Sequence, residues 1–306
     1  MSLTPADSVQ PPSSSGATRV TLQTLRQMAG AGQPFAALTC YDATTARYLA
    51  RGGVHVLLVG DTAAEVVLGL PRTIDMPFDV LLALTAAVKR GAPRLVVMGD
   101  TPFMTYQADD AEAIRNAGRF LTEGMADIVK IEADAALAPR IAKIVHAGVP
   151  VCVHVGSRPQ YVALTGGYAA AGRTPEDARA VVEDAVALEQ AGAQMLLIEA
   201  VPPEVTDMVL ARVKVPVIGI GAGTACHGQV LVLQDLVGMS ERPPRFAEPV
   251  ADLGSAFEVA AREWVSRVSE RRIGGQAYRM KAADPATPVA RSVPAIPARD
   301  RAQPSR

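Results

Sequence analysis

Lys130 and Glu132 close the apolar run Met125-Ala-Asp-Ile-Val-Lys-Ile-Glu132. Residues two apart in a strand project to the same side. Both charges are therefore aimed at one face, a costly placement unless they are used. Two earlier apolar runs, 54–61 and 95–100, end in Asp61 and Asp100, and a later one, 193–199, ends in Glu199. Asp61, Asp100 and Glu132 offer oxygen donors only, with no Cys or His pair at ligand spacing among them. Hard donors of this kind suit Mg2+, then Mn2+ or another divalent ion, better than a thiolate zinc centre. Singly, each acid reads as a helix cap or a solvated strand end. Converging on one mouth, they repel one another unless a cation sits between them.

The other groups have two readings each. Lys130 is either an anchor for an anionic or carbonyl oxygen of a substrate or an ion-pair partner of Glu132 or Asp100. Glu199 stands two strands from the proposed metal cluster. Buried there without metal, it would have a raised pKa and serve as a general base; salt-bridged across the site, it would be structural. His154, in Val153-His-Val-Gly156, is a substrate contact or a hydrogen-bonded core imidazole. Gly219, Gly221 and Gly223 allow close approach of backbone to a ligand, or simply a tight turn.

The elements that must position these groups alternate without a break. Helical spacing at 21–28 precedes a strand at 35–42 and a helix at 43–50. After the strand ending at Asp61, residues 62–77 have no clear period and read as a long loop, followed by a helix at 78–89 and the strand ending at Asp100. Helices near 110–123 and 135–146 flank the Glu132 strand, and a strand at 149–156 leads into a loop with Gly166, Gly167, Gly172 and Arg173. A helix at 175–191 follows, with Thr174 and Asp177 spaced as a capping box. Then come the Glu199 strand, a helix at 203–213, strands at 215–221 and 230–235, and a last helix carrying Phe257, Ala260, Ala261, Trp264 and Val268 on one face. Eight strands alternating with helices over about 250 residues predict a (β/α)8 TIM barrel. A doubly wound sheet is the competitor, but it would scatter the strand-end charges, and no Gly-x-Gly-x-x-Gly turn follows the first strand.

The chain has 306 residues, 49% hydrophobic and 20% charged, and its 30 basic against 31 acidic residues give a net charge of -1. That balance leaves no electrostatic footprint for nucleic acid, so the expected partners are small molecules or further copies of the chain. Cys40, Cys152 and Cys226 look like reduced thiols, which points to the cytoplasm. No apolar run reaches the roughly 18 residues of a membrane helix. Residues 1–18 and 276–306 read as disordered tails around a barrel domain at 19–275.

These motifs, in order, resemble the 3-methyl-2-oxobutanoate (ketopantoate) hydroxymethyltransferase family. The similarity rests on Thr39-Cys-Tyr-Asp42, Leu58-Val-Gly-Asp-Thr62, Lys89-Arg-Gly-Ala-Pro93, Asp100-Thr-Pro-Phe-Met104, Val129-Lys-Ile-Glu132, Val153-His-Val-Gly156, Gly166-Gly-Tyr168, Gly172-Arg173, Glu199-Ala-Val-Pro202, Pro216-Val-Ile-Gly-Ile-Gly-Ala-Gly223 and Gly228-Gln-Val-Leu231. The resemblance implies a barrel binding Mg2+ and a 2-oxo acid, with 5,10-methylenetetrahydrofolate as one-carbon co-substrate, in a homo-oligomer, often a decamer. It also implies Asp61, Asp100 and Glu132 as metal ligands, direct or through water, and Asp61, Thr62, Asp100, Lys130 and His154 as substrate-binding. Glu199 matches the proton acceptor. Thr62 stands where the family usually has Ser. Further departures fall at Gly69-Leu-Pro-Arg-Thr-Ile-Asp75, Leu84, Ala171, His227 and Gln234, expected in loops that shape the mouth. They keep open a paralogue acting on another 2-oxo acid. The remaining alternatives are a lyase of the isocitrate lyase and phosphoenolpyruvate mutase type, whose Lys-Lys-Cys-Gly-His loop is absent, and a non-catalytic ketoacid-binding barrel.

Overall fold

The computed structural model describes residues 19–275 and Tyr278; the tails expected at 1–18 and 276–306 lie, apart from Tyr278, outside the described residues. Two compact units divide the chain, one ending at Ala256 and one beginning at Phe257.

In the first unit, eight parallel strands close into a barrel in sequence order. They are β1 (Phe35–Thr39), β2 (Val56–Val59), β3 (Val96–Asp100), β4 (Ile128–Glu132), β5 (Val151–Gly156), β6 (Met195–Glu199), β7 (Val217–Ile220) and β8 (Gly228–Leu231). Before and between them run α1 (Leu22–Gly30), α2 (Ala43–Arg51), α3 (Ala63–Val66), α4 (Phe78–Gly91), α5 (Asp110–Thr122), α6 (Ala138–His146), α7 (Val162–Thr165), α8 (Pro175–Gln190) and α9 (Pro203–Leu210), with α10 (Leu233–Leu236) after β8. The predicted TIM barrel is therefore the fold. Among the described residues, no helix is long and apolar enough to cross a membrane.

The strands read as unbroken apolar runs because both of their faces are covered. One set of alternate residues, including Phe35, Val56, Leu58, Val96, Met98, Ile128, Cys152, Met195, Leu197 and Ile218, fills the barrel interior. Leu25 and Met28 of α1 join that interior cluster, so the N-terminal helix packs against the barrel's own core. The other set, among them Leu57, Val97, Val129, Ile131, Val153 and Ile198, packs against the surrounding helices. Lys130 and Glu132 take the interior parity of β4, between the outward Val129 and Ile131, which puts their charges at the C-terminal mouth. All three cysteines are free and buried.

Several boundaries differ from expectation. Residues 62–77 are not one loop: α3 and a 3-10 turn at Thr73–Asp75 interrupt it, both too short to show a helical period. The eighth strand stops at Leu231, and Asp235 lies in α10. The expected β1 and β2 runs overshoot too, because the chain leaves the ladder at Thr39 and Val59. Thr174 does cap α8, accepting a hydrogen bond from the Asp177 amide at 3.2 Å. The last helix is α11 (Leu253–Ser269); in the second unit Arg262 pairs with Glu258 and Arg267 with Glu263, each one turn apart.

Candidate active site

Strand register assembles the site before any side chain is considered. Asp100 is the β3 neighbour of Lys130, Glu132 of His154, and Gly156 of Glu199. One pocket at the C-terminal mouth is lined by Asp61, Thr62, Asp100, Lys130, Glu132, His154 and Glu199, together with Thr39, Leu58, Leu197, Ile220, Val230 and Val232. The four acids, Lys130, His154 and Thr62 expected from the sequence are thus on one surface.

Asp61, Asp100, Lys130, Glu132 and His154 are all buried. Lys130 Nζ donates to both oxygens of Asp100, at 2.7 and 2.8 Å. Of the two sequence readings of Lys130, the ion pair is formed, and its partner is Asp100. Burial pushes the ammonium toward neutrality, but Asp100, Asp61 and Glu132 outweigh it and hold Lys130 charged. The Asp61 amide donates to Asp100 Oδ2 at 3.0 Å, so Asp100 receives backbone and ammonium donors together. Asp61 itself is held well above the ordinary carboxylate range, first by burial and then by the charge of Asp100.

His154 lies between two acids, with Nδ1 3.5 Å from Glu132 Oε1 and Nε2 3.4 Å from Glu199 Oε2. Burial and Lys130 lower its affinity for a proton; Glu132 and Glu199 outweigh them and bring its pKa up to about 9. Those separations are long, and neither ring nitrogen completes a hydrogen bond. The expected core reading, an imidazole satisfied by hydrogen bonds, is therefore not what the structure shows. Glu199 is half-buried, with 22% of its side chain exposed, where full burial was expected. Gly156 is required beside it: at φ 91° it brings the chain so close that a Cβ would stand 2.5 Å from the Glu199 carbonyl oxygen. The chain then turns sharply at Ala200, φ 47°, a left-handed conformation that costs a non-glycine residue roughly 1–2 kcal/mol.

Sequence reasoning missed Gln160 and Tyr106. Gln160 Nε2 donates to Asp61 Oδ2 at 3.0 Å, and its backbone amide donates to Glu132 Oε2 at 3.0 Å. The Tyr106 hydroxyl stands 2.8 Å from the Glu132 carbonyl oxygen and 2.9 Å from Gln160 Oε1. The only signal for Gln160 was its place just beyond the end of β5.

A divalent cation suits this donor set chemically. Asp61 carries an unfavourable carboxylate charge, and Glu132 Oε1 is buried with no hydrogen-bond donor. Positive charge meets both deficits. Among the described residues, however, no three His, Cys, Asp or Glu side chains stand together as a ready metal centre. Direct ligation by Asp61, Asp100 and Glu132 together is therefore not displayed, and Asp100 is engaged by Lys130 instead.

The glycines after β7 do not open a ligand cradle. A Cβ at Gly219 would meet Cys226 Sγ at 2.7 Å, one at Gly221 the Phe246 ring at 2.6 Å, and one at Gly223 Pro203 at 3.0 Å. Their space is filled by the chain itself, which is the tight-turn reading. Two of the sequence departures also lie away from mouth loops. Leu84 is partly buried on α4 and packs against the core, and His227 precedes β8 at the opposite end of the barrel.

A model of the family described as ketopantoate hydroxymethyltransferase matches residues 19–275. The chain is 42% identical over 255 residues to a 3-methyl-2-oxobutanoate hydroxymethyltransferase of Carboxydothermus hydrogenoformans, covering 83% of this chain and 92% of that protein. It is 41% identical over 255 residues to the enzyme of the same name from Nitrosomonas europaea, covering 83% and 94%. Among solved structures, a phosphoenolpyruvate phosphomutase from Streptomyces platensis subsp. rosaceus shares the fold with a TM-score of 0.58 at 15% identity, covering 83% of this chain and 89% of that one.

Proposed function

The chain belongs to the ketopantoate hydroxymethyltransferase family, and from that premise we propose that its mouth converts 3-methyl-2-oxobutanoate to 2-dehydropantoate, with 5,10-methylenetetrahydrofolate giving the carbon and one water consumed. The observation that carries this reading is the delivery of Asp61, Asp100, Glu132 and Glu199, with Lys130 and His154, to one pocket by five strands. The same reading carries a cytoplasmic location and a homo-oligomer.

Asp61, Asp100 and Glu132 would hold Mg2+, directly or through water. When bound, such an ion supplies Lewis-acid polarisation of the keto oxygen. Lys130 keeps positive charge where oxyanion character develops at the substrate, and its buried setting makes that charge effective. Thr62 lines the pocket, and its hydroxyl would meet the substrate carboxylate. Glu199, half-buried and fixed by Gly156 and Ala200, removes the proton at C3. His154 Nε2 stands 3.4 Å from its Oε2, close enough to attract the carboxylate electrostatically. Water hydrolyses the methylene bridge of the folate, both C–N bonds breaking to leave tetrahydrofolate and formaldehyde. The carbanionic C3 adds to the formaldehyde carbon, and the new alkoxide takes the proton held by Glu199 to become the hydroxymethyl group, while Leu58, Leu197, Ile220 and Val230 line the wall against the branched alkyl end.

The test is incubation of the purified protein with 3-methyl-2-oxobutanoate, 5,10-methylenetetrahydrofolate and Mg2+. Formation of 2-dehydropantoate supports the reading. Product absent with this ketoacid but formed with another 2-oxo acid would replace the substrate and keep the reaction type.

A further inference from the structure

Gln160 touches two of the proposed cation-holding acids without belonging to them. It is 2% exposed and lies in a 3-10 turn, Pro159–Tyr161, immediately past β5. Its side-chain amide donates to Asp61 Oδ2 at 3.0 Å and to the Thr101 carbonyl at 2.8 Å, while its backbone amide donates to Glu132 Oε2 at 3.0 Å. The orientation of the side chain is fixed by its surroundings. Reversing the amide would put its carbonyl against a carboxylate and a backbone carbonyl, two acceptors, and its NH2 against the hydroxyl that now faces Oε1. Tyr106, 1% exposed, and Gln107 hold that Oε1 from behind, at 2.9 and 3.3 Å.

Among the described residues, Gln160 thus grips each acid by one oxygen, with His154 Nδ1 3.5 Å from the other oxygen of Glu132. Asp61 Oδ2 and Glu132 Oε2 are committed to Gln160, and Glu132 Oε1 is left buried without a donor. A carboxylate free to rotate would present either oxygen to a ligand and would lose that freedom on binding it.

We infer that Gln160 is a positioning residue of the reaction, one that presets which oxygens of Asp61 and Glu132 face the divalent cation and the 2-oxo acid. This rests on the metal-dependent reading of the site given above. The Glu132 grip comes from the backbone N–H, which Gln160→Met keeps, so that variant isolates the Asp61 grip. Tyr106 acts one step further out, by anchoring the amide.

The experiment is direct titration of Mn2+ and Mg2+ into the full-length protein without substrate, by Mn2+ electron paramagnetic resonance and calorimetry, alongside thermal melting and steady-state kinetics. Gln160→Met keeps the length and removes the donors. The expected result is cation affinity weakened tenfold or more, with the fall in activity largely recovered at saturating Mg2+. Tyr106→Phe, which keeps the volume, is expected to weaken affinity about threefold and decides the matter if Gln160→Met does not fold. Cation affinity and Mg2+ dependence unchanged in a folded variant, with only a lowered melting temperature, would overturn the assignment and leave Gln160 a packing residue. Failure of the wild-type protein to bind either cation would instead overturn the metal-dependent reading on which the inference rests.

Discussion

Asp100 and Lys130 are register partners on adjacent strands, and the ammonium of one is chelated by both carboxylate oxygens of the other, at 2.7 and 2.8 Å. The pair is buried, with 1% and 5% of the two side chains exposed, so neither charge is solvated. Breaking such a pair from one side leaves an uncompensated buried ion, at a cost of about 3–5 kcal/mol.

Asp100→Ala is therefore expected to lower stability by about that amount in urea unfolding and to weaken Mg2+ binding. Adding Lys130→Met should restore much of the stability and none of the cation affinity, because the stranded charge is gone but the ligand oxygens are not replaced. An Asp100→Ala protein with unaltered Mg2+ titration would remove Asp100 from the cation site.

At the other end of the barrel, two histidines act as neutral acceptors. The Ala36 amide donates to His55 Nδ1 at 3.2 Å, and the Val217 amide to His227 Nδ1 at 3.1 Å. Burial lowers the pKa of both below its ordinary value. The unfolded chain takes up protons near pH 6.5, the folded chain only at lower pH, so this stabilisation is complete above about 6.5 and is lost as pH falls through the depressed folded values. His154, whose pKa is raised, pulls the other way as pH falls, so between pH 7.5 and 5.5 the urea midpoint of the double variant His55→Asn with His227→Asn should fall less, or rise more, than that of the wild type. An equal slope in the double variant would show that other groups set it.

Gly99 precedes Asp100 on β3, and a Cβ there would stand 2.3 Å from Phe120 Cδ1. Phe120 is itself packed edge-on against Phe78, with centroids 5.5 Å apart. Gly99→Ala should cost about 1–3 kcal/mol through overpacking, read as a fall in the urea midpoint. Pairing it with Phe120→Leu should recover part of the loss; no loss in the single variant would mean that the ring moves aside freely.

The barrel was legible because each strand is an apolar run closed by a charge or a turn; Asp100, Glu132 and Glu199 marked three strand ends directly, and Asp61 lies two residues past a fourth. Strand limits were less legible, since pairing rather than composition stops β8 at Leu231 and lets Asp235 turn into α10. α3, with four residues, has no room for a 3.6-residue period. Gln160 was invisible for another reason: it is an uncharged loop residue whose partner Asp61 lies 99 positions away. Even Lys130 had two possible partners in the sequence, Glu132 and Asp100, and only the register of β3 against β4 chose Asp100.

The proposed reaction requires Glu199 to take a proton from C3 of a 2-oxo acid held at this mouth. It is tested most directly by following deuterium uptake at C3 of 3-methyl-2-oxobutanoate in D2O, with Mg2+ and without folate, in the wild-type protein and in Glu199→Gln. The expected result is exchange in the wild type that depends on Mg2+ and falls by roughly 10²–10⁴-fold in the variant, with cation binding retained. Exchange at the wild-type rate in Glu199→Gln, or none in a wild-type protein that binds both Mg2+ and the ketoacid, would contradict it.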